Sequence, residues 1–340
     1  MNFDNFLFRA SQAHFLTVGN IGLNNEQKER KKELELRKTT YYSLTEKQEK
    51  TVKEYTAKEN TLTEKQKKEL NRLKEKKKTL IGLTPTMTEE LNDLAYIDET
   101  QPLPKTMQTE LRKIYRSTKY NRKFLFTNKY VQKGISQEEE SFTTYQQWLK
   151  KVKGIDFLLL NNKVRIENDF FTGETDCNEH FYNKFGWGFD IKTSWSIETF
   201  PFKEDKLDDN YFWQNQVYMN LTGIKKWKTV YVLVNATEDA LHKEKMKYFY
   251  AYEMHQSERN EEKYKEVCRD LEKLHIVDYD RFVFLNPGHE LEITRDEWHG
   301  NNWDIPLIDR VLEKELQYSE SKINFLKNRV KIAREELNRI

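Results

Sequence analysis

Cysteine is nearly missing from this chain. Its two thiols, Cys177 and Cys268, are too few for a disulfide framework or for a four-cysteine zinc or iron–sulfur site, so both are expected to be free. The seven histidines are scattered without ligand spacing, which argues against a zinc centre. No GxxxxGK[ST] loop is present to cradle nucleotide phosphates, which leaves no place for an ATP-driven motor. No apolar run approaches the ~20 residues needed to cross a bilayer. The opening Met1-Asn2-Phe3-Asp4-Asn5 lacks the basic and apolar stretches of a secretory signal. A soluble cytoplasmic protein, with no membrane association, is therefore expected. A dominant charge is absent too: 58 Lys and Arg stand against 56 Asp and Glu, a formal +2, so net charge does not announce a nucleic-acid binder.

What is plentiful is charge of both signs, at 34% of residues, beside a hydrophobic fraction of 37%. That balance would suggest disorder, but 13% of the chain is aromatic and the aromatics concentrate after residue 120, which places a real core in the second half. Residues 1–22 hold a compact apolar segment, Phe6 to Leu16, expected to dock on that core. From residue 23 to 82 the chain is almost wholly Lys, Glu, Gln and Thr, with Leu-Thr-Glu-Lys-Gln at 44–48 repeated at 62–66. Thr45 to Gln48 and Thr63 to Gln66 are capping boxes, so each copy is expected to start a helix of a charged arm. The arm reads either as a solvated insertion or as a contact for DNA or a partner.

Residues 83–340 are expected to form the core. Helical spacing covers Met107 to Tyr120, and Glu138 to Lys151 offers Phe142, Tyr145 and Trp148 as an inward stripe. Phe157 to Leu160, Val164 to Thr172, Gly188 to Thr193 and Thr229 to Asn235 are rich in β-branched and aromatic residues and read as strands. Tyr211 to Leu221 reads as a helix stopped at Gly223, and 256–275 and 306–338 as amphipathic helices. The order predicts an α/β fold, a mixed central sheet flanked by helices, with the charged N-terminal helical arm attached.

The chemistry gathers around two of these strands. In Asp190-Ile191-Lys192 the acid and the amine lie two apart, on one face of a strand. The pattern alone also describes an edge-strand salt bridge. Its setting in the apolar run Gly188-Phe189-Asp190-Ile191 makes it a site candidate, because buried charge costs several kcal/mol unless a partner or metal offsets it. Asp176 follows a strand ending at Gly173, whose freedom to bend is expected to aim the carboxylate into a cleft. Two such acids suit a hard cation such as Mg²⁺. Glu174 is held in reserve as a ligand. The aromatics around the motif, Trp187, Trp195, Phe202, Trp213 and Trp227 among them, either fill the core or stack on bases.

Four blocks together resemble the PD-(D/E)XK nucleases, in the RecB and YqaJ group that includes phage lambda-type exonucleases. They are Gly134-Ile135-Ser136-Gln137-Glu138, Gly173 to Asp176, Asp190-Ile191-Lys192, and Gln214 to Tyr218. The resemblance covers residues 120–240 well and the ends more loosely. It implies a restriction-endonuclease-like core in which Glu138, Asp176, Asp190 and the backbone carbonyl of Ile191 bind metal. Lys192 would act on the attacking water, and Gln214 and Tyr218 would position Lys192 or the substrate strand. Arg9-Ala10-Ser11 is similar to a segment near the start of lambda-type exonucleases, which implies that Arg9 and Ser11 hold a terminal 5′-phosphate. A cap on a core helix explains that segment equally well. Thr175 stands where the family usually has proline, and the arm has no counterpart in the compact lambda-type enzymes.

The expectation is a Mg²⁺-dependent deoxyribonuclease, with Mn²⁺ as a substitute, acting 5′ to 3′ on linear duplex ends in phage recombination or replication. A single-strand annealing protein is an implied partner, and an oligomer is compatible with the resemblance. Two alternatives stay open: a non-catalytic DNA-binding or assembly protein on the same fold, and a restriction-type endonuclease.

Overall fold

A computed structural model describes residues 2–124, 129–162, 164–256, 260–286 and 293–340. The chain divides into two compact units, one comprising residues 1–17 with 110–340 and the other Val18–Thr109.

In the smaller unit the capping boxes start helices where the sequence places them. Helix α1 (Asn25–Thr39) opens on Asn24, whose side chain accepts from the Gln27 backbone while Gln27 returns the bond. Thr45 with Gln48 and Thr63 with Gln66 do the same for α2 (Glu46–Ala57) and α3 (Glu64–Lys78). These reciprocal bonds satisfy N–H groups that a helix leaves orphaned at its start. Helix α4 (Pro85–Thr100) packs back on α1: Leu94 and Leu91 meet Leu34, and Arg30 pairs with Glu90 at 2.9 Å and Lys31 with Asp98 at 2.6 Å. That packing carries the unit to Thr109, past the limit at 82 that composition suggested. At the root of the α2–α3 hairpin Tyr42 N–H donates to the Thr79 carbonyl and Ile81 N–H to that of Thr40, so Tyr41 and Leu80 form a single antiparallel bridge.

The larger unit is mixed α/β, with its strands in two three-stranded sheets flanked by helices. In the first, β1 (Phe8–Arg9) runs parallel to β3 (Phe171–Glu174), and β2 (Arg165–Glu167) antiparallel to it. In the second, β4 (Gly188–Thr193) is parallel to β5 (Lys226–Val232), which pairs antiparallel with β6 (Val311–Gln317). The hydrophobic core lies over this second sheet. Phe142, Tyr145 and Trp148 of α5 (Glu138–Trp148) form the inward stripe and pack with Phe181, Phe189, Val230 and Val232.

Three expectations change. Val164 to Thr172 is not one strand: it breaks at residues 168–170, where the Asn168 side chain accepts from the Phe170 and Phe171 N–H groups at 3.0 Å, and β2 and β3 pair antiparallel. Residues 306–338 are not one helix: β6 comes first, and only then α7 (Glu320–Arg339). Its Glu-Lys-Glu centre favours a helix locally, but pairing with β5 overrides propensity, burying Val311 and Leu316 and giving Glu313 to Lys228 at 2.9 Å and to the Tyr145 hydroxyl at 2.7 Å. Phe157 to Leu160 forms no strand; Leu159 alone is buried, its N–H held by Gln146 at 2.8 Å. Among the described residues no helix is long and apolar enough to cross a membrane.

Candidate active site

Strand β4 supplies the centre of the site. It approaches β5 closely at Gly188, where any Cβ would collide with the indole of Trp227. Two residues on, Asp190 is 2% exposed, and the next residue on that face, Lys192, brings its Nζ to 2.6 Å from Asp190 Oδ2. No well-directed hydrogen bond reaches that buried oxygen among the described residues, so the ammonium contact is all that offsets its charge there.

Asp176 enters from the end of the other sheet. Its Oδ2 accepts the Ile191 backbone N–H at 2.7 Å. Ser194 N–H donates to Val232 of β5, so alternate residues of β4 face β5 and Ile191 faces the strand's outer edge. In an extended strand a residue's N–H and C=O share one edge, which puts the Ile191 carbonyl on the side that holds Asp176. Burial, then the nearby carboxylates of Asp190 and Glu138, push the Asp176 carboxyl up to about 7 against the pull of Lys192 and of the Ile191 N–H. For Lys192 burial opposes the ammonium, but Asp190 and Asp176 outweigh it and raise its pKa. Lys192 is thus a cation at neutral pH.

Helix α6 (Asp209–Thr222) closes the opposite side, with Tyr211, Gln214 and Tyr218 on one face at i, i+3 and i+7. Lys192 donates to Gln214 Oε1 at 3.3 Å, Gln214 Nε2 donates to the Tyr218 hydroxyl at 2.9 Å, and the ammonium lies 4.7 Å from the Tyr211 ring centroid. Burial lifts the Tyr218 phenol well above its ordinary value, which keeps it protonated.

Gly173 does not make the expected bend. It sits inside β3 without a left-handed φ, and a Cβ there would come within 2.9 Å of Tyr218 Cε1 and 3.3 Å of the Ala10 Cβ. Its function is close approach of α6 to the strand. The turn that aims Asp176 is built at Thr175 instead: its buried hydroxyl donates to the Cys177 carbonyl at 2.7 Å and accepts from Asn162 Nδ2 at 3.2 Å. This donation to the carbonyl two residues on, with the bond from Asn162, holds the bend at Asp176–Cys177 in place.

The structure therefore brings Asp176, Asp190, Lys192, Gln214 and Tyr218 into one chain of contacts. Glu138, in the first turn of α5, is near enough to act on Asp176 electrostatically, and Ser141 one turn later bonds Thr193 of β4 at 2.8 Å. Among the described residues, no three His, Cys, Asp or Glu side chains close into a metal cluster. Glu174 is taken by a cross-strand ion pair with Arg165. Arg9 ends β1 beside β3 and caps a short 3-10 helix, Ala10–Gln12, its N–H donating to Gln12 Oε1 at 3.1 Å; Ala10 is buried, and Arg9 and Ser11 are exposed. Of the neighbouring aromatics, Trp195 and Trp227 are buried and Phe202 is exposed.

Two contributors lie outside the residues expected from sequence. Tyr211 could have been found from its spacing to Gln214 and Tyr218. Lys133 could not: it is buried one turn before α5, where burial lowers its pKa to about 8, and its ammonium bonds the carbonyls of Trp195 at 2.7 Å and Val234 at 3.3 Å, tying the segments that follow β4 and β5.

No family model and no curated protein matches the chain. Among solved structures it is similar to a phage-related exonuclease from Haemophilus somnus 129PT, at 20% identity over 71% of this chain and 85% of that one, with a TM-score of 0.46.

Proposed function

We propose that this chain is a metal-dependent deoxyribonuclease that hydrolyses phosphodiester bonds from the ends of linear duplex DNA, 5′ to 3′, in phage-type recombination or replication within the cytoplasm. The observation that carries the proposal is the buried Asp190–Lys192 pair, locked on one side by Asp176 through Ile191 and on the other by Gln214 and Tyr218. An ordinary salt bridge needs none of these supports, and one left partly buried contributes little to stability.

The donor set fits a divalent cation. Asp190 Oδ2 is buried without a well-directed hydrogen bond, and Asp176 is pushed towards neutrality by burial and then by the neighbouring carboxylates, stresses that a bound cation would relieve together. Asp176, Asp190 and the Ile191 carbonyl would hold it, all hard oxygen donors suited to Mg²⁺ or Mn²⁺, with Glu138 contributing negative potential. Such an ion neutralises charge on the scissile phosphate and makes water a stronger acid. Lys192, charged in its present contacts, orients the water or a phosphate oxygen by donation, and it accepts a proton only once the carboxylates beside it are neutralised. Gln214 fixes the ammonium, and Tyr218 fixes Gln214. Arg9 and Ser11, exposed beside β3, would receive the terminal 5′-phosphate, and the strand released would pass to a single-strand annealing protein.

One observation favours the competing possibility of a DNA-binding or assembly protein on the same fold: the three acids do not close into a cluster. Linear duplexes labelled at either terminus, with 5′-phosphate or 5′-hydroxyl ends, separate the two. Mg²⁺-dependent release from the 5′ end is expected, with closed circles spared. Lys192→Met and Asp190→Asn should each lower the rate by at least ~10²-fold with the fold intact. Equal cleavage by these variants and by the parent, or none by the parent, refutes the enzyme; cutting of closed circles replaces exonuclease by endonuclease.

A further inference from the structure

A second feature lies wholly in the Val18–Thr109 unit and does not depend on whether the nuclease site cuts. The last turns of α1 and α3 both end at the Tyr41–Leu80 bridge, and both are basic: Arg37 and Lys38 on α1, Lys76, Lys77 and Lys78 on α3. Around the bridge Tyr41 is 55% exposed and Tyr42 41%, with Leu36 and Leu80 also open to solvent. Lys76 Nζ lies 6.0 Å from the Tyr42 ring centroid.

Basic residues at a helix C-terminus are ordinarily explained by the orphaned carbonyls there. Here hydroxyls meet much of that need. Thr39 and Thr40 both donate to the Leu36 carbonyl, at 3.1 and 2.6 Å, and Thr79 to that of Glu75 at 2.9 Å. Arg37 donates to the Gly82 carbonyl at 3.2 Å. Among the described residues no ion pair or hydrogen bond engages the side chains of Lys38, Lys77 or Lys78. Lys76 donates to Gln48 Oε1 at 3.5 Å at the start of α2, whose first turn carries Glu46 and Glu49, and Glu35 is drawn to Lys31 at 3.9 Å; the five cations of the two last turns outnumber the flanking acids Glu35, Glu46, Glu49 and Glu75.

We propose that this patch binds single-stranded nucleic acid, with the lysines on successive phosphates and Tyr41 and Tyr42 as stacking platforms for bases. Exposed rings set among cations are the means by which strands are held without sequence preference, since every base has a face to stack and every nucleotide a charge. A duplex keeps its bases stacked on one another and leaves the rings nothing to bind.

The test measures binding of a fluorescein-labelled 20-mer of deoxythymidine to the full chain in EDTA, where metal-dependent cleavage cannot contribute. Tyr41→Ala with Tyr42→Ala is expected to weaken binding roughly tenfold or more, whereas Tyr41→Phe with Tyr42→Phe keeps it. Lys77→Gln with Lys78→Gln should lower the slope of log affinity against log salt by about 1.4, near 0.7 per phosphate contact on a single strand. All these side chains are exposed or rim the bridge, and circular dichroism should show unchanged helix content. Absence of binding, or binding indifferent to both the tyrosine and the lysine changes, overturns the proposal. So does a duplex of equal length that binds as tightly and loses nothing on removal of the tyrosines.

Discussion

Replacing Gly173 by alanine should destabilise the larger unit, although glycine inside a strand ordinarily costs about 0.5–1 kcal/mol relative to alanine. The added Cβ would stand 2.9 Å from Tyr218 Cε1, 3.4 Å from its Cδ1 and 3.3 Å from the Ala10 Cβ, where carbon atoms prefer roughly 3.5–4.0 Å. The ring has little room to retreat: Tyr218 is buried, and the Trp227 indole lies behind it with centroids 5.7 Å apart. Overpacking of this kind costs typically 1–3 kcal/mol, so a net loss of ~1–2 kcal/mol is expected. Urea unfolding of Gly173→Ala, Tyr218→Leu and the double variant forms a cycle that isolates the clash. In the Tyr218→Leu background the alanine should be neutral or stabilising. The displaced phenol would also leave Gln214 Nε2, so cleavage should fall in Gly173→Ala by more than stability alone accounts for. A stabilising Gly173→Ala in the parent, or an equal cost in both backgrounds, would refute the close-approach explanation.

Two further outcomes are expected. Thr175→Val keeps shape but strips the hydroxyl from the Cys177 carbonyl and Asn162, costing ~1–3 kcal/mol by thermal melt; a Tm equal to the parent's would show that the turn stands without it. Asp176 titrates near 7 in the fold and near 4 when unfolded, so the folded state binds the extra proton between those values and stability falls as pH rises through that window. Mg²⁺ should then raise the Tm more at pH 8 than at pH 5. Equal shifts at the two pH values would argue that the cation binds elsewhere.

The parts legible in sequence were those governed by local rules. Capping boxes at Thr45 and Thr63 mark helix starts because the bonds run between residues three apart, and the two-residue spacing of Asp190 and Lys192 holds on any strand. Asp176 and Gln214, 38 positions apart, both reach β4, Asp176 through the Ile191 N–H and Gln214 through the Lys192 ammonium. What stayed hidden depends on distant partners. Val311 to Gln317 becomes a strand only because β5 offers an edge, and α4 joins the smaller unit through leucines that meet α1 some 60 residues away. Gly173 reads locally as a bend because the ring that fills its missing Cβ, Tyr218, lies 45 positions along the chain.

The hydrogen bond from Ile191 to Asp176 has a consequence for solubility. Strand β4 borders its sheet, and an uncovered border offers free N–H and C=O groups to any passing strand. By occupying one of those N–H groups with its side-chain carboxyl, Asp176 blunts the border against pairing with another molecule. Truncating it to alanine would unmask that template, so an inert and aggregating Asp176→Ala protein says little about catalysis. Asparagine keeps an acceptor oxygen at the same place and is the substitution that separates the two duties of this residue.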